Sequence, residues 1–157
     1  MSTDAAPRPR PRPRPRSRGF AALLVIVYGI FAISATARSL VQILRDFDAA
    51  PLAYSLSLLA AITYIAVTVA LVRGREGSRA ALWLCIGELV GVVSVGTVSL
   101  LAPSLFPDDT VWSVYGIGYG FIPLLLPLIA VPYLLRRKRR AVREDEIRPG
   151  SRTENVP

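Results

Sequence analysis

Apolar and charged positions in this chain do not alternate; they come in blocks. Phe20 to Ala37 carries no charge over 18 residues, Leu52 to Val72 none over 21, and Val111 to Leu135 none over 25. Ala80 to Pro107 holds one carboxyl, Glu88, and no other charged side chain. A helix rises about 1.5 Å per residue, so roughly 18–25 residues cross the ~30 Å hydrocarbon core of a bilayer. None of the four stretches offers the broad polar face that a helix of a soluble bundle turns to water. The pattern predicts an all-α, polytopic membrane protein. Its four transmembrane helices lie at about 20–37, 52–72, 80–102 and 111–135, between disordered tails over 1–18 and 136–157.

The segments between the blocks have patterns of their own. The tract PRPRPRPRPR near the N-terminus favours an extended polyproline rod, because proline fixes φ and supplies no backbone donor. In ARSLVQILRDF, Leu40, Leu44 and Phe47 share one helical face and Arg38, Gln42 and Arg45 another. That predicts a helical extension of the first span, with its apolar side in the membrane interface. The turn PDDT, with Asp109 or Thr110 as cap, predicts the start of the fourth helix.

Charge then sets orientation. The chain has 157 residues, 52% of them hydrophobic, with a formal net charge of +8. Seventeen of the 19 Lys and Arg residues fall in the two tails and the 73–79 link, and only Arg38 and Arg45 lie on the other side. The excess of basic residues on one side predicts a bacterial inner-membrane protein with both termini cytoplasmic. Trp83 near one end of the third span, and Trp112 and Tyr54 near the opposite ends of the fourth and second, suit interfacial positions. The basic balance therefore reports how the protein sits and implies no nucleic-acid partner. Both tails, including RRKRR at 136–140, are expected to meet the anionic headgroups of the lipid bilayer. Ala35-Thr36-Ala37 also has the form of a signal-peptide cleavage site. The length of the apolar run and the helical pattern beyond it favour a retained first span.

Candidate chemistry is sparse. There is no histidine and one cysteine, Cys85, which excludes His-based catalysis, His-metal sites and a disulfide scaffold. No phosphate loop, paired carboxylates or metal-spaced cluster occurs, so no enzyme activity, cofactor or metal is expected. Cys85 reads as an inert core thiol. Glu88 is different, because a carboxyl at mid-membrane is costly and marks a candidate site. Counting equal distances from the link through Glu76 places Tyr64 at its depth, with Tyr28 on span 1 and Pro127 on span 4. Small and hydroxyl residues form stripes at helical spacing: Tyr54, Ser57, Ala61, Tyr64, Thr68 and Tyr28, Ala32, Ala35, Ser39. Such stripes let membrane helices approach closely and bond across. The candidate intramembrane polar site is therefore Glu88 turned inward towards Tyr64 and Tyr28.

Gly87-x-x-x-Gly91 and Gly116-x-x-x-Gly120 suit close helix packing, and Pro123, Pro127 and Pro132 predict a kinked fourth span. The run IGYG at 117–120 has the core letters of a potassium-channel filter, but a ten-residue link precedes its span and only 15 apolar residues follow. That leaves no room for the pore helix and inner helix such a filter needs.

The stretches ATARSLVQILRDFDAAPLAYSLSLLAAITY and DDTVWSVYGIGYGFIPLLLPLIAVPYLLRR resemble uncharacterised small four-span integral membrane proteins of actinobacteria. The resemblance covers about residues 20–137. It implies a four-helix inner-membrane protein and carries no activity, cofactor or site residue. Small multidrug-resistance transporters are also short four-span chains with one embedded Glu, but theirs lies in the first span and Glu88 lies in the third. Two functional expectations follow. One is a non-enzymatic accessory protein that packs with a homo-oligomeric or membrane-protein partner. The other is a proton-coupled transporter subunit using Glu88.

Overall fold

The computed structural model describes residues 16–74 and 78–147, and these form an all-helical protein. Four α-helices follow in order: α1 (Arg16–Asp46), α2 (Pro51–Val72), α3 (Ser78–Leu101) and α4 (Ile122–Ile147). Short 3-10 turns occupy Phe47–Ala49 and Pro103–Leu105, and a longer irregular segment runs through Ser113–Tyr119. The first three α-helices are long and apolar enough to cross a membrane, and there is a fourth span when Ser113–Tyr119 and α4 are counted together. The chain is a membrane-embedded helical protein.

Element boundaries differ from the sequence expectation at both ends. Residues 16–18 already belong to α1, and α4 runs on through the basic cluster to Ile147. The expected disordered tails therefore overlap these helices, and the remainder of each tail lies outside the described residues. The 31 residues of α1 make a rod of about 46 Å, so the extension expected after Ala37 is continuous with the span. Leu40 and Leu44 are exposed along it and Phe47 in the turn that follows, as an interfacial face requires.

Consecutive helices pack most closely, α1 on α2 above all, whereas α1 scarcely touches α4. The two small-residue stripes meet at the α1–α2 contact: Tyr28, Ala32, Ala35 and Ser39 face inward on one helix, and Tyr54, Ser57, Ala61 and Tyr64 on the other. The two tyrosine hydroxyls of the stripes, Tyr28 and Tyr64, bond to other elements as expected, whereas several of the Ser and Thr hydroxyls on these helices do not. Thr36, Ser39 and Thr68 donate to the carbonyls of Ala32, Ala35 and Tyr64 on their own helices, at 2.6–2.7 Å. A hydroxyl in an apolar surrounding takes the nearest acceptor, which is one turn back. The small residues of the stripes work through size, and the two tyrosines through their hydroxyls.

The C-terminal apolar region, from Ser113 onward, departs furthest from a straight helix. Its chain bends by 104° between Ser113–Tyr119 and α4. The break falls at Gly120 (φ 63°) and Phe121 (φ 60°), ahead of the prolines expected to cause it. Pro123 sits in the first turn of α4, where a helix has no backbone bond to lose, while Pro127 and Pro132 are carried inside a continuous helix. Residues 110–121 offer a helix little. Gly116, Gly118 and Gly120 each cost about 1 kcal/mol there, and Thr110 and Ser113 supply competing hydrogen bonds.

Irregular backbone survives at membrane depth only when protein satisfies its polar groups. Thr110 Oγ1 accepts from the Trp112 N–H (3.0 Å), Ser113 Oγ accepts from the Thr110 N–H (2.9 Å), and Ser99 Oγ on α3 accepts from the Val114 N–H (2.9 Å). Thr110 thus caps a tight turn and not an α-helix. At the same end Arg38 Nη2 donates to the Asp109 carbonyl (2.9 Å), and Gln42 Nε2 to Asp108 Oδ2 (3.2 Å).

Side chains of the segment fill notches in α3. A Cβ on Gly91 would lie 2.8 Å from the Trp112 ring, and one on Gly96 2.5 Å from Tyr115. Gly116 (φ 82°) is pressed on Pro123, where an added Cβ would come within 2.6 Å of the ring. Gly87, by contrast, has nothing within 4 Å, and Gly116 and Gly120 lie on no regular helix. The two GxxxG pairs therefore do not act as helix-crossing motifs. Gly116→Ala is expected to destabilise the protein by about 1–3 kcal/mol through its positive φ and the clash. Gly87→Ala should be neutral or slightly stabilising. Thermal unfolding of both variants in detergent, followed by circular dichroism, separates the two.

Candidate intramembrane polar site

Glu88 lies on the inward face of α3, with Cys85 almost one turn below it and Val92 one turn above. All three are fully buried. Helical spacing alone puts them in line, because residues three and four apart stack on one face. Tyr28 comes from α1, whose backbone approaches α3 less closely than it does α2. Its hydroxyl donates to Glu88 Oε2 at 2.8 Å and lies 3.6 Å from Cys85 Sγ. A phenol has one hydrogen. With that hydrogen directed at Glu88, the thiol is the donor to the Tyr28 oxygen, and the chain runs Cys85, Tyr28, Glu88. Glu88 Oε1 is buried without a hydrogen-bond partner.

Tyr64, on α2, is fully buried beside this group, its ring centroid 6.3 Å from that of Tyr28. Its hydroxyl is engaged elsewhere, accepting from Trp112 Nε1 at 3.0 Å. The ring series continues from Tyr64 through Phe31 to Tyr119, with centroids 5.8 Å apart at each step. The Arg38 guanidinium ends the series, 6.0 Å from the Tyr119 ring. Pro127 is fully buried, in line with its matched depth.

The structure thus brings Glu88, Tyr28 and Tyr64 into one core, and only Tyr28 bonds to the carboxyl. Trp112 is displaced from the expected interfacial position and becomes a core residue with 3% exposure. Trp83, at 71%, keeps the exposed place expected of an interfacial indole. Two participants were not anticipated. Cys85 could have been found from its i−3 spacing to Glu88. Trp112 could not, because the notch that receives it at Gly91 is meaningful only once the chain folds back.

The site is closed. Two hollows, of about 400 and 370 Å³, lie along α4 towards its basic cluster. One is lined by Leu135, Lys138 and Arg139 among others, the second by Phe20, Tyr133 and Arg136 among others, and Glu88 borders neither. Among the described residues no group of three or more His, Cys, Asp or Glu side chains could hold a metal. Comparisons with protein-family models, curated proteins and solved structures give no match. The site's geometry is that of a buried carboxyl bonded to a phenol from α1, with a second phenol tying the irregular segment to α2.

Tyr28→Phe is expected to cost about 1–3 kcal/mol, since it leaves a second carboxyl oxygen unpaired in the core. Tyr64→Phe should cost about 1–2 kcal/mol by stranding the Trp112 indole N–H, and it should alter the emission of that tryptophan in a Trp83→Phe background. Combining Tyr28→Phe with Glu88→Leu in a double-mutant cycle is expected to return a coupling of about 0.5–3 kcal/mol.

Proposed function

We propose that this chain is a four-span inner-membrane protein of a bacterium that serves as a non-enzymatic accessory or interaction subunit of a larger membrane assembly. The observation that carries this reading is the sealed condition of Glu88, which is fully buried, bonded to Tyr28 and remote from both hollows. Transport coupled to that carboxyl requires a polar route from Glu88 to one face of the membrane. A structural role requires only a carboxyl that fixes how the helices meet.

The fourth span in this reading is composite. The apolar part of α4, 122–135, is 14 residues and about 21 Å long, shorter than the ~30 Å hydrocarbon core. The folded segment 111–121 makes up the difference. Retention of the first span is supported by Tyr28, since cleavage after Ala37 would remove the donor to Glu88. The outer surface is apolar, with Leu23, Ile26, Ile30 and Ile33 exposed along α1. It faces lipid, a second copy or a membrane-protein partner. The basic ends meet anionic headgroups, and no nucleic acid or cofactor is involved.

A proton-coupled transporter subunit is the second reading, and the unpartnered Glu88 Oε1 is the observation that favours it. Affinity purification from native membranes, paired with proton-linked uptake in vesicles, tests both. A partner is expected to co-purify with wild type and with Glu88→Gln, and to be lost on Ile30→Trp. A proton-linked flux abolished by Glu88→Gln would establish transport in its place. For topology, a cysteine at Ser104 should be labelled by an impermeant maleimide in intact cells, with buried Cys85 silent. Labelling only after permeabilisation would reverse the orientation.

A further inference from the structure

Among the described residues, no counter-charge stands beside Glu88. The titratable groups packed around the carboxyl are Cys85 on its own helix, Tyr28 on α1, Tyr64 on α2 and, beyond Phe31, Tyr119 from the irregular segment. None of these is cationic. The α4 wall of the core is built from Pro123, Leu126, Pro127 and Ala130, all apolar. The described cation that ends the aromatic series, Arg38, stands ten residues along α1 from Tyr28, about 15 Å by helix rise.

An ionised carboxylate without a cation in a bilayer core is among the most costly arrangements a protein can hold. Two species can remove that cost, a metal ion or a proton. A metal ion needs several oxygen donors presenting lone pairs. The Tyr28 hydroxyl, the one oxygen bonded to the carboxyl, directs its hydrogen at Oε2, so it opposes a cation there. A proton needs one free carboxyl oxygen. Oε1 is that atom, buried and unpartnered, while Oε2 accepts from Tyr28 as the carbonyl oxygen of a neutral acid does.

We propose that Glu88 is a proton-binding site: the folded protein holds it as the neutral carboxylic acid at neutral pH, with the proton on Oε1 and Tyr28 bonded to Oε2. The bound proton takes the place of the counter-ion that the core lacks. Glu88 then acts as a neutral acceptor that draws α1 and α3 together, and the closed core retains the proton. This inference does not depend on which functional reading holds, since a structural carboxyl and a transport carboxyl both have this resting form.

Infrared spectroscopy of the purified full-length protein in detergent at neutral pH tests it. The other glutamates, at 76, 144, 146 and 154, lie in polar segments of the sequence. A carboxylic-acid C=O stretch is expected in the wild type and should be lost in Glu88→Gln. Tyr28→Phe should move the band to higher frequency, because the carbonyl loses its hydrogen bond; a merely structural tyrosine would leave it in place. Uniform 13C-labelling of glutamate in the wild-type chain should shift the band down, which assigns it without any substitution. Absence of an acid band at neutral pH, or its persistence in Glu88→Gln, would overturn the proposal.

Discussion

The interior of a bilayer supplies no hydrogen-bond partners, and that scarcity governs every polar atom in this protein. The bond from Tyr28 to Glu88 is where the constraint acts most strongly. It joins α1 to α3, whose backbones make few close approaches to each other. Removing either partner leaves a buried polar atom that neither water nor lipid can satisfy, so the bond selects one relative placement of α1 and α3 over its neighbours. Cys85 extends the same small network and gives an otherwise ordinary buried thiol a directed role.

The irregular segment obeys the same rule by a different route. Val114, Tyr115 and Phe121 take positive φ, each at a cost of about 1–3 kcal/mol for a residue with a side chain. What offsets it is visible around them. Amides 110, 112 and 114 are satisfied by Ser and Thr hydroxyls, and Trp112 fills the notch above Gly91 while bonding to Tyr64. A straight helix through 111–121 would have left Trp112 at the rim and the notches at Gly91 and Gly96 empty. Arg38 and Gln42 hold the entry to the segment from α1. The aromatic series from Tyr28 to Tyr119 links that entry to the buried carboxyl.

Closure of the site bears directly on function. A carboxyl in this position either works on something that reaches it or sets the packing of the helices around it. The full burial of Glu88, together with the close fit of Trp112 over Gly91, favours packing. The surface that remains for interaction is the lateral apolar one, where a membrane protein meets lipid or another membrane protein.

The residues themselves determined a good deal. The uncharged blocks gave the helices, because only a helix satisfies its own backbone in lipid. The depth count from the link placed Glu88, Tyr64, Tyr28 and Pro127 in one core, because rise per residue is constant. The stripes on α1 and α2 marked their contact, because small side chains permit it. Three matters required the tertiary structure. The path of residues 110–121 depends on notches in α3 and a hydroxyl at Ser99, partners distant in sequence. The choice of Tyr28 over Tyr64 depends on Trp112 reaching the Tyr64 hydroxyl. That no described neighbour of Glu88 is cationic becomes apparent only when the helices are brought together. Local pattern decides what each segment must bury, and the meeting of distant segments decides which polar atoms find one another.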